Sequence, residues 1–186
     1  MFLDRDGTLL ATDDFLGDPA GVVLVPGAGE ALRRLGTIGY QRIVVSNQSG
    51  VARGLFTEEA YGRVEAAVLA AVRAADGEIE GSYACFHLPG AADPRYAKEC
   101  DCRKPRPGLL VRAARERGVT LNRSVAVGDA VRDLEAGRAA GCGLCVLVRT
   151  GKGAASEPEA VARGLADGVV DSLTDLPGWL ADRTRP

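Results

Sequence analysis

The chain has 186 residues, 46% of them hydrophobic, long enough to bury a proper core in one domain spanning 1–186. Its 23 Lys and Arg nearly balance 25 Asp and Glu, leaving a formal charge of −2, so neither nucleic acid nor an anionic membrane is expected as partner. No apolar run reaches membrane-spanning length, and Met1 leads straight into a strand with no room for a signal peptide, so a cytoplasmic protein is expected.

Met1-Phe2-Leu3 is a short apolar run that ends in Asp4-Arg5-Asp6-Gly7-Thr8. Residues two apart on a strand share a side, so Asp4 and Asp6 converge where the strand runs out, while Arg5 points away. Gly7 lets the backbone turn there. A loop rich in Asp, Gly and Pro follows (Asp13 to Pro19), then an apolar run at Val22 to Val25 and a helix from about Gly29 to Leu35. Arg42 to Val45 reads as a second strand, emptying into Ser46-Asn47-Gln48-Ser49-Gly50. Thr57 caps a long helix with Glu58 and Glu59 at its positive end, and the stripe Tyr61, Val64, Val68, Ala71, Val72, Ala75 faces the core. Ser82 to Phe86 is a third strand. An irregular segment then runs from Cys85 to Arg106, and Pro107-Gly108 opens a helix that stops at Gly118. Ser124 to Val127 is a fourth strand, followed by an Ala-rich helix to Gly141 and a fifth strand at Leu144 to Val148. Ser156-x-x-Glu159 predicts a capping box for one more helix. Val169-Val170 and a closing helix around Leu173 to Leu180, with Trp179 packed on the body, complete the chain. This alternation predicts an α/β fold, a Rossmann-like parallel sheet with helices on both faces.

In open parallel sheets ligands bind beyond the carboxyl ends of the strands, and each polar cluster of this chain falls at such an end. Two carboxylates as close as Asp4 and Asp6 repel unless a cation lies between them or one keeps a proton. A hard divalent ion, Mg²⁺ first, suits such ligands. The same residues also read as a polar turn or a calcium-loop fragment, although Thr8, Leu9 and Leu10 break the EF-hand spacing. Ser46 offers a hydroxyl beside the amides of Asn47 and Gln48, either a phosphate cradle or a solvent-facing turn. Lys104, stiffened between prolines in Cys102-Arg103-Lys104-Pro105-Arg106-Pro107, can neutralise a phosphoryl oxygen or be a solvated surface charge. Asp129 in Gly128-Asp129 can complete a Mg²⁺ shell, with Asp133 one helical turn later. Acids at a helix start also serve the dipole alone.

Of the five cysteines, three fall in Cys85-x-His87 and Cys100-x-Cys102. Three thiols and an imidazole make a structural zinc set, tetrahedral and closed. The alternative is buried free thiols. The polar segment between the two pairs cannot fold around a core of its own, which favours the metal. Cys142 and Cys145 straddle a strand start and are read as core.

Asp-x-Asp-Gly-Thr, a strand-end Ser, Lys and Gly-Asp-x-x-x-Asp occur in that order, and together they resemble the haloacid dehalogenase superfamily. The resemblance implies Asp4 as nucleophile forming an aspartyl-phosphate, Asp6 as the acid that protonates the leaving oxygen and then activates water, and Mg²⁺ held by Asp4, the Asp6 carbonyl and Asp129. Ser46 and Lys104 would hold the phosphoryl group. The longer pattern, from Phe-Leu-Asp-Arg-Asp-Gly-Thr through Ser-Asn-Gln-Ser-Gly-Val-Ala-Arg-Gly and the Cys-x-His and Cys-x-Cys pairs to Val-Gly-Asp, covers nearly the whole chain. It resembles the family of the heptose bisphosphate phosphatases, related to the histidinol-phosphate phosphatases. That implies a sugar phosphate substrate met by Thr8, Asn47, Gln48, Arg53 and Arg103, and a structural Zn²⁺ on Cys85, His87, Cys100 and Cys102. A monomer is expected. Motifs one and two are too close for a cap domain between them, so the zinc loop, about 85–102, is expected to form one wall of an open site. A second anionic group on the substrate would find Arg53, Arg103 and Arg106. A non-catalytic phosphosugar-binding protein of the same fold is the rival from another class.

Overall fold

The computed structural model describes residues 1–12 and 14–184, so Asp13, where the acidic loop was expected to begin, lies outside the described residues. In chain order the elements are β1 (Phe2–Leu3), α1 (Ala28–Thr37), β2 (Ile43–Asn47), α2 (Glu58–Ala74), β3 (Gly81–Cys85), α3 (Gly108–Arg117), β4 (Val125–Gly128), α4 (Val131–Ala140), β5 (Leu144–Val148), α5 (Gly153–Ala162), β6 (Gly168–Val170) and α6 (Leu176–Thr184). The strands form one parallel sheet in the order β3-β2-β1-β4-β5-β6. Phe2 lies beside Ile43 and Ala126, and Leu3 beside Val44 and Val127, so the short β1 is gripped from both sides. The strand order reverses at β1, which places the crevice for a ligand beyond Leu3.

Alternation along each strand divides the core in two. Leu3, Val44, Val127 and Val146 pack with Leu32 and Leu35 of α1, Val64 and Val68 of α2 and Leu180 of α6. Phe2, Ile43, Ala126 and Leu147 face the other way, onto Leu109 and Leu110 of α3 and Leu134 of α4. Burying each such side chain contributes about 2 kcal/mol. Cys142 and Cys145 are buried in the second of these layers, as read from the sequence. Trp179 packs against the first. Among the described residues no separate cap stands over the strand ends, and no helix is long and apolar enough to cross a membrane.

Local rules explain several boundaries. Thr57 Oγ1 accepts from the Ala60 N–H at 3.1 Å, which starts α2 where the capping rule places it. Gly118, with φ of 65°, ends α3. Two expectations are corrected. Ser156-x-x-Glu159 is not a capping box: α5 starts at Gly153, and Ser156 lies inside it. The acid that holds the turn is Asp129, whose Oδ2 accepts from the Lys152 N–H at 2.8 Å, a cap no local pattern could reveal. Tyr61, Val64, Val68 and Val72 are buried as expected, but Ala71 is partly buried and Ala75, past the end of α2, is exposed.

Candidate active site

The site grows from the carboxyl end of β1. The Asp4 N–H continues the strand pairing by donating to the Val127 carbonyl at 2.9 Å, which carries the Asp4 side chain to the head of the sheet. Gly7 turns the chain there with φ of 78°, and a side chain at this position would collide with the Asp129 carboxylate and the backbone of Gly151. Arg5 does not simply point away. Its side chain is fully buried, and its Nε and Nη2 donate to the two Asp6 carboxylate oxygens at 2.9 and 3.1 Å. Glu65 lies 3.8 Å from Nη1, and the guanidinium rests over the Tyr61 ring at 5.4 Å. Burial pushes the Asp6 carboxyl up from its ordinary range; Arg5 and the Gln48 amide pull it back, and Asp4 opposes them. A carboxyl poised in this way suits acid and base work in turn.

Lys104 is no surface charge. It is 3% exposed, with Nζ 2.9 Å from Asp4 Oδ1, 2.7 Å from Asp133 Oδ1 and donating to the Val45 carbonyl at 2.9 Å. Burial alone would lower its pKa, but Asp133 and Asp4 outweigh that and hold the ammonium charged. Asn47 fixes the loop that carries it: Asn47 Nδ2 donates to the Lys104 carbonyl at 2.9 Å, and the Lys104 N–H donates to Asn47 Oδ1 at 3.0 Å. Gln48 bridges in the same way, its Nε2 donating to Asp6 Oδ2 at 2.7 Å and to Ser46 Oγ at 2.9 Å. Ser46 is buried, and accepting from Gln48 leaves its own O–H as a donor. The amide cradle read from the sequence is narrower than expected, because the Gln48 N–H is taken by the Cys85 carbonyl at 2.7 Å.

Asp129 closes the arrangement. Its Oδ2 is bound by Lys152, while its Oδ1 is buried with no hydrogen-bond partner. Burial lifts its carboxyl to about 6; the Lys152 N–H works against that, and Asp4 and Asp133 add to it. Carboxylate oxygens of Asp4, Asp129 and Asp133 lie within 4.8 Å of one another, so the three can hold a metal ion. An unpartnered carboxylate oxygen among mutually repelling acids fits a hard divalent cation.

Above these acids is a cavity of about 290 Å³. Asp4, Asp6, Ser46, Asn47, Gln48, Arg53, Arg103 and Asp129 of the sequence candidates line it. Lys104 reaches Asp4 from beneath, and Thr8 is fully enclosed with its Oγ1 unpartnered and does not line the cavity. Arg106 turns outward to Glu99 at 2.6 Å and the Cys100 carbonyl at 3.2 Å, also outside the cavity. The lining residues that the sequence reading missed are Arg132 and Lys152, with Asp14, Phe15 and Ser49. Arg132 follows Asp129 by three positions, a spacing that alone could have flagged it.

Cys85, His87, Cys100 and Cys102 converge. Cys85 Sγ is 3.7 Å from His87 Nδ1 and 3.7 Å from Cys100 Sγ, and Cys102 Sγ is 3.2 Å from each of the other two sulfurs and 3.3 Å from His87 Nδ1. A tetrahedron with metal–sulfur bonds of about 2.3 Å has edges of about 3.8 Å, so the cluster can hold a metal ion. Burial pushes the Cys85 thiol up, and the neighbouring Cys102 adds to it, so a thiolate there calls for a cation. The same segment aims one wall of the cavity, since Arg103 Nη1 donates to the His87 carbonyl at 3.1 Å.

The chain is similar to several known proteins. The family model described as HAD-hyrolase-like matches residues 101–176. The D-glycero-beta-D-manno-heptose-1,7-bisphosphate 7-phosphatase of Haemophilus influenzae is 39% identical over 178 residues, covering 95% of this chain and 94% of that protein. Its namesake in Escherichia coli K12 is 36% identical over 186 residues, covering 100% and 95%. A crystal structure of D,D-heptose 1,7-bisphosphate phosphatase from B. bronchiseptica, complexed with magnesium and phosphate, superposes with a TM-score of 0.84 at 32% identity, covering 99% of this chain and 98% of that one.

Proposed function

The chain belongs to the family of HAD-type phosphatases that contains the heptose bisphosphate 7-phosphatases and is a phosphoric monoester hydrolase, and on that premise we propose that it converts D-glycero-β-D-manno-heptose 1,7-bisphosphate to the 1-phosphate through an aspartyl-phosphate. The observation that carries the reading is the buried Lys104 ammonium held against Asp4, with Asp6 and Asp129 on the same strand-end cavity. A binding protein needs an anion receptor, but it does not need two converging carboxylates kept beside it.

The Asp4 carboxylate attacks the C7 phosphorus, and the sugar oxygen departs with the proton carried by Asp6. Lys104 and the Ser46 hydroxyl hold phosphoryl oxygens as charge develops on them. Asp6, now ionised and steadied by Arg5 and Gln48, takes a proton from water, whose oxygen attacks the aspartyl-phosphate and frees Asp4 and phosphate. Two easier steps replace one hard hydrolysis. Mg²⁺ bound by Asp4, Asp129 and the Asp6 carbonyl would offset the repulsion between the Asp4 carboxylate and a phosphate dianion. Zn²⁺ on Cys85, His87, Cys100 and Cys102 would be structural. Arg53 and Arg103, both lining the cavity, would meet the sugar phosphate.

Following the reaction by ³¹P NMR tests this. With Mg²⁺ the C7 phosphate signal is expected to become inorganic phosphate while the C1 signal persists. EDTA and Asp4→Asn should each abolish the change. Loss of the C1 phosphate instead, or Asp4→Asn keeping a tenth of the activity, would overturn the reading.

A further inference from the structure

Resting on the bisphosphate reading, we propose that Arg132 is a substrate-contacting, specificity-determining residue which, with Arg53 and Arg103, forms a cationic subsite for the phosphate that stays on the product. The three guanidiniums come from separate elements and line one cavity: Arg53 from the loop after β2, Arg103 from the end of the metal-binding segment, Arg132 from the first turn of α4. The catalytic acids Asp4, Asp6 and Asp129 line that cavity too, so a second anion is repelled from them and drawn toward the guanidiniums.

Helix electrostatics does not account for Arg132 where it is, although its charge also favours the ionised forms of Asp129 and Asp133. The first turn of a helix is the positive end of its dipole, where a cation is disfavoured; α4 places Arg138 in its last turn, as helix electrostatics prefers. The carboxylate beside Arg132, Asp133 at 4.0 Å, is already bound by Lys104 at 2.7 Å and by the Ala130 N–H at 3.0 Å. The Arg132 side chain is 42% exposed. Arg103 is anchored by the His87 carbonyl, and Arg53 lies over the Phe15 ring at 5.5 Å. Asp14 also lines the cavity, as does Lys152, so its lining carries the four acids Asp4, Asp6, Asp14 and Asp129 with the four cations Arg53, Arg103, Arg132 and Lys152. Three guanidiniums on one cavity are suited to a phosphate dianion, whose oxygen pairs match the guanidinium fork. Arg106, the candidate named from sequence, is engaged by Glu99 outside the cavity, and Arg132 takes its place in the set.

The test compares kcat/KM for the heptose 1,7-bisphosphate with kcat/KM for the heptose 7-phosphate, which lacks the distal group, in wild type, Arg132→Ala, Arg132→Lys and Arg132→Glu. Losing one charged hydrogen-bonding contact corresponds to about tenfold. Arg132→Ala should therefore lower the bisphosphate preference about tenfold, chiefly through KM, with Arg132→Glu lower still and Arg132→Lys recovering part. The unfolding midpoint should not drop. Equal losses on both substrates would mark a structural role and overturn the proposal, as would an unchanged preference in Arg132→Ala. A wild type that shows no preference for the bisphosphate would instead remove the substrate reading, and the subsite with it.

Discussion

At the scale of single residues, Arg5 binds structure to chemistry most tightly. It is fully buried, and its charge is met by Asp6, by Glu65 and by the Tyr61 ring. Taking one partner from a buried pair strands the other, at a cost of about 3 kcal/mol. Arg5→Met is expected to lose about that much stability and to lower kcat on an aryl phosphate at least tenfold with little change in KM, because Asp6 would lose the fork that orients it. Chemical denaturation and steady-state kinetics on the same samples check both halves. A variant as stable as wild type, or one changed only in KM, would contradict this account of Arg5. The sequence showed Asp4 and Asp6 plainly, since their spacing places them on one side of a strand end. It concealed Arg5, because strand periodicity sends that side chain to the opposite face and says nothing of a long guanidinium curling back to its neighbour. Arg132 was passed over for a different reason: on a helix start it reads as a solvated charge, although its spacing of three from Asp129 was there to be read.

At the scale of elements, the strands and their ends were legible and the caps were partly so. Leu144 to Val148 reads as a buried strand because it is a continuous apolar run, and it is one. Thr57 announced α2 through a contact three residues away. The start of α5 could not be read, because Asp129 supplies its cap from 23 residues earlier in the chain. The cysteine and histidine cluster was visible as spacing, but its link to the cavity was not, since it runs through the His87 carbonyl to Arg103. That link makes a prediction. Elemental analysis of protein purified without added metal should find one zinc per chain. Cys100→Ser should raise hydrogen exchange across residues 85–102 and raise KM for the bisphosphate more than it lowers kcat, while the far-ultraviolet circular dichroism is kept. Protein free of zinc, or a variant that loses kcat alone, would contradict it.

At the scale of the whole molecule, the sheet order brings together residues from four distant parts of the chain. Asp4 and Asp6 follow β1, Ser46 ends β2, Lys104 arrives on the loop before α3, and Asp129 follows β4. The cavity above them is lined by Asp4, Asp6 and Asp129 and also by Arg53, Arg103 and Arg132. Three guanidiniums on that lining favour a substrate with a second anionic group over one with a cationic amine. The most direct measurement is kcat/KM for D-glycero-β-D-manno-heptose 1,7-bisphosphate against that for histidinol phosphate, both with saturating Mg²⁺. Losing the phosphate's contacts to the guanidiniums and meeting a like charge instead amounts to about a hundredfold or more, so the account predicts at least that preference for the bisphosphate. Equal turnover of the two, or preference for histidinol phosphate, would contradict it.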